Sequence, residues 1–97
     1  MRTFHLSGNV DHRNSGSART QMLGELLPKA SLAIDLSGVT YIDSAGLAVL
    51  VQVHWQAKKF GCDVHLTNVS EGVSKRFRLA HLDGVFNIVE ADRPTIH

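Results

Sequence analysis

Ser31-Leu32-Ala33-Ile34-Asp35-Leu36-Ser37-Gly38-Val39-Thr40-Tyr41-Ile42-Asp43-Ser44-Ala45-Gly46-Leu47 is the stretch on which the fold turns. Ser31 to Leu36 reads as a short, largely buried strand, and a turn at Ser37-Gly38 leads into Val39-Thr40-Tyr41-Ile42. Asp43-Ser44 then supplies a helix N-cap. The helix it opens runs from Ala45 to Phe60, with Leu47, Leu50, Val51, Trp55 and Ala57 inward and Gly61 as its stop.

Upstream, Thr3-Phe4-His5-Leu6-Ser7 alternates polar and apolar as a half-buried strand does, and Gly8-Asn9 ends it. Ala18, Met22 and Leu26 recur four apart beside Leu23 and Leu27, the stripe of a helix. Asn14 or Ser15 caps that helix and Pro28 stops it, with Gly24 a weak point inside. Downstream, Cys62 to Leu66 alternates as a strand, and a helix starts at Glu71 with Val73, Phe77 and Ala80 on one face. Val85 to Val89 forms a last strand. The order β-α-β-α-β-α-β predicts an α/β fold with a four-stranded, mainly parallel sheet and helices chiefly on one face. Residues 1–90 read as one domain and residues 91–97 as a polar C-terminal tail.

Composition narrows the function classes. The 97 residues carry 10 Lys+Arg against 9 Asp+Glu, a net charge of +1. That is not the cationic excess of a generic nucleic-acid binder, and 43% hydrophobic residues argue against disorder. A core this small leaves little room for a water-excluding catalytic cavity. Cys62 is the single cysteine, so no intramolecular disulfide forms. No signal-peptide h-region and no run of about 20 apolar residues is present, so the chain reads as cytoplasmic.

Neither G-x-G-x-x-G nor G-x-x-x-x-G-K-[ST] occurs, so both common phosphate cradles are missing. Ile42-Asp43-Ser44-Ala45-Gly46 approaches the G-x-S-x-G nucleophile elbow, but Ile42 stands where the first glycine belongs. No catalytic residue is assigned. Cys62 and His65 fall on opposite faces of a strand, and His5, His54, His81 and His97 are isolated, so no metal or other cofactor is expected. Trp55 and Phe60 read as core or core-edge residues. Lys58-Lys59 and Lys75-Arg76-Arg78 read as solvated helix faces, because binding lipid headgroups by charge takes clusters of about 4 to 8 cations. The turn at Ser44 is a helix cap in the plainest reading. A phosphate on that hydroxyl would also face free N–H groups and the positive end of the helix dipole.

Four motifs in order resemble the STAS domain family of anti-sigma factor antagonists. They are Leu6-Ser7-Gly8-Asn9-Val10-Asp11, the signature of Ile34 to Val39 with Tyr41 to Leu47, Phe60-Gly61 followed by a strand, and Leu82-Asp83-Gly84-Val85-Phe86-Asn87-Ile88. The resemblance implies a compact STAS-like α/β fold without catalytic activity. It implies binding to an anti-sigma factor that is also a serine kinase, which frees the sigma factor. Phosphorylation of Ser44 in D-S-x-G would end that binding, and a phosphatase would reset it. Asp43 and Gly46 would shape the turn, and Asp11, Asp43, Ser44, Ala45 and Gly46 would form the partner-binding surface. Relatives carry a further strand before Leu6, so either the sheet is shorter with an exposed edge or the chain is a piece of a longer protein. The acidic residue of the family's first motif is Asn9 here. The competing expectations are a STAS subunit binding the ATPase of a phospholipid-transporting ABC complex, and a STAS module of a larger sensory or transport protein.

Overall fold

The computed structural model describes residues 2–82 and 84–90. In chain order its elements are β1 (Arg2–Val10), α1 (Ser15–Leu23), β2 (Ser31–Ile42), α2 (Ser44–Phe60), β3 (Asp63–Val69), α3 (Glu71–Leu79) and β4 (Asn87–Glu90). Every strand pair is parallel, and the sheet order is β1-β2-β3-β4. Right-handed crossovers between such neighbours place all three helices on one side. Burial agrees: Leu6, Leu32, Ile34, Leu36, Val64 and Leu66 are buried, whereas Thr3, His5 and Asp63 on the opposite face are exposed. The expected α/β architecture is the one observed. Among the described residues no strand flanks the outer edge of β1.

Several local expectations need correction. Ser37-Gly38 is not a turn, because β2 continues through it for 12 residues. Register shifts against β1 lie between His5 and Ser7 and between Gly8 and Asn9, and each gives β2 one extra residue. The Asp35 carboxylate accepts the Ser37 N–H at 2.8 Å, so the chain bulges with that donor satisfied. The first helix ends at Leu23 rather than Pro28, with Gly24 as its C-cap. Beyond it, Glu25 and Leu26 donate to carbonyls only three residues back, the tighter turn that often finishes a helix. Asn14 precedes that helix without capping it through its side chain.

In α2 the inward residues include Leu47, Leu50, Val53, His54 and Ala57, while Trp55 is 52% exposed. One residue turns the helix by about 100°, which carries Trp55 out of the face that His54 occupies. The His54 ring meets Phe86 edge-on at 5.3 Å, and Phe86 meets Phe77 at 5.5 Å, joining α2 to α3. Burial lowers the pKa of His54, favouring the neutral imidazole. Ala80 is the exposed C-cap of α3 rather than a packed residue. Asp83 of the fourth motif and the tail at 91–97 lie outside the described residues.

Candidate functional site

Val10 and Ile42 are partners at the ends of adjacent parallel strands, so the β1–α1 and β2–α2 turns leave the sheet side by side. That carboxyl edge is where open α/β sheets build their sites. The Asp43 N–H donates to the Val10 carbonyl at 3.1 Å. The first turn of α2 lies so close to β1 that a Cβ on Gly46 would stand 2.5 Å from the Val10 oxygen and 2.7 Å from Ile42 Cγ1. Only a glycine allows this approach.

The Asp43 carboxylate holds the junction together. Its Oδ1 accepts the Gly46 N–H at 3.0 Å, the N-cap bond of α2. Its Oδ2 accepts the His12 N–H at 3.1 Å, from the other turn. These backbone donors, Gly46 foremost, hold the Asp43 carboxyl below the usual carboxylate range. Ser44 is the first residue of the 17-residue α2 and is exposed. Its hydroxyl makes no hydrogen bond among the described residues. Ala45 beside it is half-buried and Gly46 is buried.

Asp11 reaches the same edge but is only 5% exposed. Arg13 claims its carboxylate, donating from Nη2 to Oδ2 at 2.8 Å and from its backbone N–H to Oδ1 at 3.0 Å. The Arg13 side-chain bond is the main cause holding the Asp11 carboxyl low. Asn14 completes the loop: its Oδ1 accepts the Asp11 N–H at 3.0 Å and its Nδ2 donates to the Asn9 carbonyl at 2.6 Å. The structure thus gathers Asp11, Asp43, Ser44, Ala45 and Gly46 at one edge. It adds His12 and Arg13, which the sequence did not mark, and Asn14, expected only as a helix cap. Asn9, standing where the family motif has an acid, accepts from the Thr40 hydroxyl at 2.9 Å.

A cleft of ≈ 280 Å³ between β2 and α3 is lined by Thr40, Tyr41, Ser70 and Arg76, among others. The Arg76 guanidinium lies over the Tyr41 ring at 4.8 Å. Among the described residues no three His, Cys, Asp or Glu side chains converge as metal ligands would. No helix there is long and apolar enough to cross a membrane.

A one-sided parallel sheet that presents an exposed serine at the Asp43-capped start of its second helix defines a small α/β domain. The chain belongs to the STAS domain family, whose model matches residues 1–93. The anti-sigma-B factor antagonist of Bacillus subtilis (strain 168) is 30% identical over 84 residues, covering 87% of this chain and 77% of that protein. Solved structures show the same fold. A Thermotoga maritima protein assigned as an anti-sigma factor antagonist superposes with a TM-score of 0.77 at 24% identity, over 91% of this chain and 79% of its own. A sulfate transporter family protein from Wolinella succinogenes gives 0.69 at 20% identity, over 94% and 77%. The unphosphorylated anti-sigma factor antagonist SpoIIAA gives 0.63 at 17% identity, over 79% and 72%.

Proposed function

We propose that this chain is a cytoplasmic anti-sigma factor antagonist that works by partner switching, with Ser44 as its phosphorylation site. The observation that carries the reading is the exposed Ser44 hydroxyl on the first residue of α2, in a turn built by Asp43 and Gly46. The likeness to the Bacillus subtilis antagonist supports the choice of partner. In the unphosphorylated state the carboxyl edge binds an anti-sigma factor that is also a serine kinase, and the sigma factor is released. The Ser44 oxygen then attacks the γ-phosphorus of ATP held by that kinase. The hydroxyl proton passes to the kinase, and ADP leaves.

The product carries about −1.5 to −2 charge at one helix start. The α2 dipole and first-turn N–H groups favour an anion there, so the fold tolerates the change. The partner meets a new charge where a small hydroxyl stood, and binding ends. A phosphatase restores the serine. The chain supplies no catalytic group of its own in this scheme.

The test combines the purified chain, ATP and the cognate kinase, with the phosphate mapped by mass spectrometry. Ser44→Ala abolishes incorporation and keeps kinase binding, and Ser44→Asp loses binding. Phosphate elsewhere, together with unchanged binding by Ser44→Asp, rejects the proposal. Retrieval of an ABC ATPase and permease without a kinase assigns the chain to a transporter complex instead.

A further inference from the structure

The fold assembles a second surface at the opposite, amino-terminal pole of the sheet. Among the described residues, three of the five exposed large hydrophobic side chains belong to the segments that end at this pole: Leu27 at 44%, Trp55 at 52% and Phe60 at 46% exposure. Leu27 and Lys29 lie in the loop before β2, and Trp55, Lys58, Lys59 and Phe60 lie on the last turns of α2. The two segments touch, since the Lys29 N–H donates to the Gly61 carbonyl at 3.1 Å. Lys58 Nζ sits 5.2 Å from the Trp55 ring centroid, linking the flank of α2 to its end.

The charge of this pole is cationic. Lys29, Lys58 and Lys59 are three of the chain's four lysines, and all three are exposed. Among the described residues none of them pairs with an acid. Two acids are near: Glu25, held by Arg2 at 2.6 Å, and Asp63, exposed at the start of β3. Lysines interleaved with an exposed tryptophan, phenylalanine and leucine make an interfacial surface, in which rings and aliphatic carbons enter the headgroup layer while ammonium groups meet anionic lipid. Three lysines alone fall short of a polybasic cluster, and the apolar anchors supply the second signal that stable attachment needs.

We infer that this pole docks the protein on an anionic lipid bilayer, leaving the Ser44 edge at the far end of the strands open to a protein partner. Each cation contributes about a fivefold gain in partitioning at low salt. Replacing two lysines by glutamates removes two such gains and adds two repulsions, so Lys58→Glu/Lys59→Glu weakens vesicle binding by roughly a hundredfold or more.

The experiment uses the full chain with phosphatidylcholine vesicles carrying about 30% phosphatidylglycerol, and with pure phosphatidylcholine as control. Trp55 is the only tryptophan, so its emission reports the contact directly. Expected are co-sedimentation and a blue shift with anionic vesicles only, both reversed by high salt and lost in the double variant. Phe60→Ser weakens binding with the charges intact, and Ser44→Asp binds vesicles like the native chain. Absence of a blue shift and of sedimentation at low salt overturns the inference, as does full binding by a double variant whose circular dichroism is native. Binding only to a soluble acidic polypeptide, with no response to vesicles, overturns it in favour of a protein ligand.

Discussion

Replacing Gly46 by alanine sets two effects of opposite sign against each other. Helix propensity favours alanine over glycine by about 1 kcal/mol in a helix interior, and less in the first turn, where Gly46 sits. The backbone at Gly46 is not in the left-handed region, so alanine meets no conformational strain. Space decides the outcome. The new methyl would lie 2.5 Å from the Val10 carbonyl oxygen and 2.7 Å from Ile42 Cγ1. That carbonyl cannot retreat freely, because it accepts the Asp43 N–H at 3.1 Å. Overpacking of this kind costs about 1–3 kcal/mol. Lifting the first turn of α2 also stretches the Asp43–Gly46 cap, a further cost of about 1 kcal/mol. The net expectation is a loss of about 2–3 kcal/mol, or roughly 10–20 °C in Tm for a domain of this size. Gly16→Ala is the internal control: no atom lies within 4 Å of its added Cβ, so it holds stability level or raises it by up to about 1 kcal/mol. Urea unfolding of both variants beside the native chain reads the difference at constant m. A Gly46→Ala protein as stable as Gly16→Ala would show that the close approach of α2 to β1 is not real.

Two further predictions concern the cap and the core histidine. Asp43→Ala removes both acceptors of the junction and costs about 1–2 kcal/mol in the same urea assay, while Asp43→Asn, which still caps, loses less; equal losses would contradict the cap assignment. His54 has its pKa lowered from 6.5, so the native state binds fewer protons than the unfolded chain as pH falls. Stability is therefore complete above 6.5 and declines as the pH drops toward the folded value. Urea midpoints measured from about pH 7.5 to 5 show that decline in the native chain and none in His54→Phe. Asp11, Asp35 and Asp43, each lowered from 3.8, lose their stabilisation only at still lower pH.

The carboxyl edge was readable where its chemistry is local. Asp43-Ser44 announces a cap within four residues of chain, and the observed bond runs from Gly46 back to Asp43. The crossover order was equally legible, because strand and helix periods alternate along the sequence. The bulged passage through Ser37-Gly38 was not, since Ser-Gly reads as a turn until a neighbouring strand holds it. Trp55 was misplaced for a different reason. A large apolar side chain at a helix rim and one at its centre differ by one residue of phase, and His54 took the inner position. The bonds of Arg13 and Asn14 to Asp11 could not be found from spacing, which marked Asn14 only as a helix cap. Their roles depend on how a four-residue loop folds back on Asp11, and polar loop residues carry no period.

Two turns 31 residues apart in sequence share one carboxylate, since Asp43 binds Gly46 in its own helix and His12 in the other loop. The turn that carries Ser44 is therefore not a portable motif. Moved to another scaffold as Asp43 to Leu47 alone, the segment would keep its capped helix and lose the strand end and loop that brace it. An engineer wishing to transplant this serine in its braced setting would have to carry the whole β1–β2 strand pair with both of its turns.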